Sequence, residues 1–192
     1  PENAGESFLI VPPWRRDMTA EGRITIVVEP GMAFGTGGHE STRLALAQLE
    51  RVVQNDMAVW DIGTGTGILA IAAALLGAET VYASDIDGDA VDAARHNAAL
   101  NGTEGRIRAA ISDIGESRGT FDAVVANISR NVLCENAYNI ADALRPGGYA
   151  ILAGFESADT EVVSAAFRET GLTPFAQDSE GPWKAMTFRK AQ

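Results

Sequence analysis

Three short stretches of this chain carry side chains suited to holding a charged nucleoside. The first is Val59-Trp60-Asp61-Ile62-Gly63-Thr64-Gly65-Thr66-Gly67, an apolar run that ends in an acid and then in alternate glycines. It reads as strand, tight turn and helix, and glycines in such a turn let a ligand lie directly against the backbone. The dinucleotide fingerprint G-x-G-x-x-G/A needs Gly or Ala at position 68, where Ile68 stands. A carboxylate at Asp61, just before the turn, also repels a diphosphate. A nucleoside with a positive sulfonium suits both features. The turn is therefore expected to hold S-adenosylmethionine, through Asp61, Gly63, Gly65 and Gly67. An ordinary glycine turn in an α/β domain is the alternative.

The second stretch is Ala83-Ser84-Asp85-Ile86-Asp87. A carboxylate at the end of the second strand accepts hydrogen bonds from ribose hydroxyls, and Asp85 stands at that end. Asp87 is its rival, but a place past the strand end suits capping of the next helix. Asp113, in Ile111-Ser112-Asp113-Ile114, follows the third strand. It either meets the adenine amino group or caps a helix. The third stretch, Phe121-Asp122-Ala123-Val124-Val125-Ala126-Asn127, brings Asn127 to the end of the fourth strand, beside the first. An Asn offers an acceptor and two donors there, and can orient an attacking amine without carrying charge. It is the candidate catalytic residue; a turn-forming Asn is the plain alternative.

Upstream lies a glycine-rich segment, Phe34-Gly35-Thr36-Gly37-Gly38-His39. Its glycines allow close backbone approach. Phe34 either faces the sulfonium as a cation–aromatic contact or packs in the core, and Thr36 is placed with it at the cofactor. Thr42 follows at the start of a helix whose N-terminus points at the site. His39 is expected to fix this loop by a hydrogen bond. It lacks the partners of a metal ligand, and no metal is expected. His96 falls on a helix surface. Trp14 and Trp183 either pack on the core or line a substrate groove.

These residues need a scaffold, and the hydrophobic pattern supplies one. Strands are expected at 57–62, 80–85, 105–110, 121–127, 148–153, 172–177 and 183–189, and helices at 66–76, 88–100, 131–144 and 157–170. A further helix is expected over 41–53, with Ser41 or Thr42 as N-cap. Alternation of this kind implies α/β architecture: a seven-stranded, mostly parallel sheet with helices on both faces, closed by an antiparallel edge hairpin. Residues 8–11 and 24–28 are β-rich runs of a hairpin-like lead-in. The chain divides into a lead-in with the glycine-rich segment at 1–38 and the main α/β unit at 39–192, forming one compact body.

Fifteen basic against 26 acidic residues give a net charge of −11, which argues against a nucleic-acid binder working by general electrostatics. Cys134 is the single cysteine, so no internal disulfide or cysteine metal cluster can form. No apolar run is long enough to span a bilayer, and no secretory signal is evident. A cytoplasmic protein is expected. Its oligomeric state is open.

Together these residues resemble a known family. Glu29-Pro30-Gly31-Met32-Ala33-Phe34-Gly35-Thr36-Gly37-Gly38-His39-Glu40-Ser41-Thr42-Arg43-Leu44 looks like the signature of the bacterial ribosomal-protein methyltransferases called PrmA. Val11-Pro12-Pro13-Trp14, Asp61 to Gly67, Asp85-Ile86-Asp87 and Ala126-Asn127-Ile128 match that family as well. The resemblance implies a class I S-adenosylmethionine-dependent, Rossmann-like fold. It also implies cofactor contacts at Thr42, Gly63, Asp85 and Asn127. The substrate it implies is protein eleven of the large ribosomal subunit, methylated on lysine or N-terminal amines. Gly38 departs from the larger residue usual before the histidine. Family members also carry an N-terminal recognition domain with no counterpart here, so the chain is expected to be either an excised catalytic domain or a stand-alone relative. Alternatives are methylation of another protein lysine or of a small-molecule amine, and a non-enzymatic cofactor-binding module. Nucleic-acid amino-methylation fits poorly, because Ile128-Ser129-Arg130 stands where those enzymes place Pro-Pro-aromatic.

Overall fold

Two sheets organise the computed structural model, which describes residues 1–31, 37–116 and 119–192. The larger is built from β4 (Ala58–Ile62), β5 (Thr80–Asp85), β6 (Ile107–Ile111), β7 (Phe121–Asn127), β8 (Leu144–Glu156), β9 (Thr173–Glu180) and β10 (Trp183–Arg189). Their order is β6-β5-β4-β7-β8-β10-β9. The first five strands run parallel, and β10 is antiparallel to both neighbours. The edge hairpin read from the sequence is therefore present.

Side-chain alternation along the strands explains the layering, because successive residues face opposite sides of a sheet. Val59, Val125 and Ile151 join one buried cluster with α1 (Glu40–Val52), α2 (Ile68–Leu75) and α3 (Gly88–Leu100). Trp60, Val124 and Leu152 join the other with α4 (Arg130–Glu135), α5 (Ala137–Asp142) and α6 (Thr160–Glu169). Trp60 is fully buried, and its indole N–H donates to Ser84 Oγ at 2.8 Å, so its one polar atom is satisfied. Helix α2 is buried from Ile68 to Ala74, as expected of a helix that is apolar all round. Among the described residues no helix is long and apolar enough to cross a membrane.

The lead-in differs from the expected hairpin. β1 (Glu2–Ala4) pairs antiparallel with β2 (Phe8–Val11), but β2 and β3 (Ile24–Val27) run parallel, with Phe8 opposite Ile24. Residues 12–23 separate the two strands and include a 3-10 turn at Pro13–Arg15. That connection is long enough for a crossover, so no tight turn forces antiparallel pairing. Phe8, Ile10 and Ile26 pack into the cluster that holds α1 and α2.

Three further boundaries shift. Helix α1 is capped by His39, not by Ser41 or Thr42: the His39 side chain accepts from the Ser41 backbone N–H at 3.2 Å. The single helix expected over 131–144 breaks at Asn136 into α4 and α5. The strand expected to start at 148 begins at Leu144, with a register irregularity against β7 between Phe121 and Ala123. Trp14 is exposed, so it neither packs in the core nor meets the cleft described below.

Candidate active site

Strand order reverses direction beside β4, between β5 and β7, and the carboxyl ends of these strands form the crevice where open α/β sheets take ligands. A cleft of about 640 Å³ opens there. Its wall includes Gly63, Gly65, Asp85, Asp113 and Asn127, so five of the residues singled out in the sequence meet in one place.

Gly63, Gly65 and Gly67 all have positive φ, of 66°, 52° and 82°. That left-handed region is open to glycine at little cost, which is why the turn needs them. Hydrogen bonds then hold the turn from outside. Thr64 N–H donates to Ser84 O at 3.0 Å, and Gly65 N–H donates to Asp85 Oδ2 at 3.1 Å. Asp85 Oδ1 accepts from Asp87 N–H at 3.1 Å. Each carboxylate oxygen keeps a further lone pair for a ribose hydroxyl. Asp87 caps α3 by accepting from Asp89 N–H at 2.9 Å, as its position implied. Asp113 stands on the cleft wall, just before a 3-10 turn. Its Oδ1 accepts from Ile114 N–H at 2.6 Å.

Asp61 and Gly67 lie behind the turn rather than at its face. Asp61 is fully buried. Its Oδ2 accepts from Thr64 Oγ1 at 2.7 Å and from Ala70 N–H at 3.1 Å, and so ties the turn to the start of α2. Its Oδ1 has no hydrogen-bond partner among the described residues. Burial pushes this carboxyl up to about 7; the Thr64 and Ala70 hydrogen bonds oppose the rise, and Asp85 adds to it. Gly67 begins α2, and a Cβ there would lie 2.9 Å from Ala94 Cα.

Asn127 sits at the end of β7, across the turn from Asp85. Its Nδ2 donates to Thr42 Oγ1 at 3.3 Å, while its Oδ1 is buried and unpartnered among the described residues. Thr42 is fully buried in the first turn of α1. It thus acts as the anchor of Asn127. His39 Nδ1 lies 2.8 Å from Ser41 Oγ at the start of α1, and Trp183 meets its ring edge-on, with centroids 4.6 Å apart. His96 is half-exposed and paired with Glu29 at 2.6 Å. Phe34 and Thr36 lie outside the described residues. Among those described, no cluster of His, Cys, Asp or Glu could hold a metal ion.

Some contributors were not singled out in the sequence. Ile86, Ile114 and Val132 supply apolar walls to the cleft. The signal for Ile86 was its place directly after the acidic strand end, and it is 78% exposed, unusual for isoleucine. Gly154 in β8 was also missed. A Cβ there would lie 2.5 Å from Ile128 O, so its bareness lets the chain pass directly beyond Asn127.

The donor set fits S-adenosylmethionine. The cleft wall combines the Asp85 carboxylate with apolar side chains and with Asn127, whose Oδ1 is buried and unpartnered among the described residues. The volume is that of a small-molecule site.

Comparison with known proteins agrees. The family described as ribosomal protein L11 methyltransferase (PrmA) matches residues 1–191. A ribosomal protein L11 methyltransferase of Symbiobacterium thermophilum is 40% identical over 190 residues, which is 99% of this chain and 62% of that relative. The chain thus spans less than two thirds of its curated relative's length. A crystal structure of a ribosomal protein L11 methylase from Lactobacillus delbrueckii subsp. bulgaricus superposes with a TM-score of 0.89 at 31% identity, covering 99% of this chain and 98% of that one. A methyltransferase from Pyrococcus furiosus, 19% identical with a TM-score of 0.65 over 75% of this chain and 80% of its own, shares the fold alone. The architecture is the class I S-adenosylmethionine-dependent methyltransferase fold, and the chain belongs to the ribosomal protein L11 methyltransferase (PrmA) family.

Proposed function

We propose that this chain transfers methyl groups from S-adenosylmethionine to amine nitrogens of a ribosomal protein, on lysine side chains, the N-terminal amine or both. One observation carries the reading: the buried, unpartnered Asn127 Oδ1 at the end of β7. A buried acceptor left unmade costs about 1–3 kcal/mol. A substrate amine that donates an N–H to it recovers that cost.

The cofactor, when bound, supplies a methyl group on a sulfonium. The rest of the chemistry falls to the chain. Asp85 accepts the ribose hydroxyls, Gly63 and Gly65 admit the nucleoside to the backbone, and Ile86, Ile114 and Val132 enclose the base. Asn127 is held by Thr42 and accepts one amine N–H, which aims the nitrogen lone pair. An amine attacks only when neutral. Lysine starts near pKa ~10.4 and an α-amine near ~7.7–8.0, and entry to an apolar channel lowers both. Asn127 is uncharged, so the proton is shed to water and the protein contributes alignment. A net charge of −11 favours the approach of a basic partner. This reading places the protein with the ribosome in the cytoplasm.

The test is incubation with methyl-labelled cofactor and a ribosomal extract. Label in ribosomal protein L11 is expected. Label in RNA, or none despite tight cofactor binding, would overturn the reading.

A further inference from the structure

Helix α3 meets the glycine turn with an unusually bare face. Gly67 packs directly on Ala94. One turn further along α3, the side chain of Asn97 is buried and used at both ends. Its Nδ2 donates to Thr66 O at 2.8 Å, inside the glycine turn. Its Oδ1 accepts from Glu29 N–H at 3.0 Å, where β3 gives way to the Glu29–His39 signature stretch. The far end of that stretch is also pinned near the turn, because Gly37 packs against Ile10 and Ile68.

We propose that Asn97 is a positioning residue that sets the spacing between the glycine turn and the entry to the signature stretch, and through it the affinity for S-adenosylmethionine. The proposal rests on the functional reading above, in which the glycine turn serves the cofactor. The chemistry demands a carboxamide. Nδ2 donates to a carbonyl and Oδ1 accepts from an amide, and a carboxamide carries that donor and that acceptor on two atoms of one short planar group. Asp keeps the acceptor but sets a carboxylate against Thr66 O. Gln is one methylene too long for a contact this close. Asn101 provides an internal control. It lies a turn beyond Asn97, and its Oδ1 and Nδ2 bond Val27 N–H and O at 2.8 and 2.7 Å. It ties α3 to the same strand but, among the described residues, bonds nothing in the glycine turn.

The experiment combines calorimetric titration of S-adenosylmethionine with hydrogen exchange on the wild type, Asn97→Asp, Asn97→Ala and Asn101→Ala. Asn97→Asp is expected to raise the cofactor Kd about tenfold, the worth of one buried hydrogen bond. In that variant the Glu29 amide should stay protected, whereas Asn97→Ala should release it. Asn101→Ala should expose the Val27 amide and leave the Kd unchanged. By reciprocity, the cofactor should slow exchange at Glu29 in the wild type, although Glu29 does not line the cleft. That last readout stands even where a variant fails to fold. Equal loss of affinity in Asn97→Asp and Asn101→Ala, or no effect of the cofactor at Glu29, would overturn the proposal. A wild-type protein that binds no S-adenosylmethionine would instead overturn the functional reading.

Discussion

Replacing Asp61 by Asn should make the protein's stability less sensitive to pH, and the size of the effect follows from the burial of one carboxyl. Asp61 holds its proton up to about 7 in the folded chain, against 3.8 ordinarily. Between those values the native state binds more protons than the unfolded state, so stability falls as pH rises through the window and levels off above about 7. One proton is worth about 1.4 kcal/mol per pH unit, which gives a loss of about 2–3 kcal/mol between pH 5 and pH 8. The carboxamide of the Asp61→Asn variant stays neutral throughout. Its oxygen can still accept from Thr64 Oγ1 and Ala70 N–H, while its NH₂ takes the place of the unpartnered Oδ1, at a cost of about 1–3 kcal/mol. The variant should therefore be the less stable protein at pH 5 and gain on the wild type as pH rises. Urea unfolding of both proteins at a series of pH values measures this. Taking the difference between the two curves cancels the repulsion of the other acidic groups, which both share. A difference that does not change with pH would refute the burial argument.

Two further substitutions probe the turn. Gly67→Ala forces φ +82° on an L residue and drives a Cβ against Ala94, so urea unfolding should show a loss of about 2–4 kcal/mol; wild-type stability would contradict the packing described. Asp85→Ala removes the acceptor for Gly65 N–H and Asp87 N–H as well as the proposed ribose ligand, so titration calorimetry should show the cofactor Kd raised at least about tenfold. An unchanged Kd would remove Asp85 from the site.

Much of this architecture was legible because period-2 and period-3.6 patterns report directly on burial. Val59 and Trp60 alternate between faces, and Leu44, Leu46 and Leu49 mark the buried side of α1. Strand-end polar residues converged as expected because a parallel sheet gathers its carboxyl ends. What was not legible depended on neighbours distant in sequence. Whether Asp61 faces a ligand or the inside of α2 is decided by Ala70 N–H, nine residues on. The parallel pairing of β2 with β3 depends on a crossover path with no periodic signal of its own. Gly154 mattered only once Ile128 was placed beside it. Asn97 lay in the helix expected over 88–100 with nothing to single it out, and its value came from two backbone groups 31 and 68 residues away.

The proposed reaction turns on Asn127 aligning an amine in the cleft. Single-turnover methyl transfer to purified ribosomal protein L11, at saturating S-adenosylmethionine, tests it most directly when wild type is compared with Asn127→Ala. Asn127→Ala should transfer methyl about 100-fold more slowly, the penalty of a misplaced nucleophile, with the cofactor still bound. An Asn127→Ala protein that transfers methyl at the wild-type rate would contradict that role.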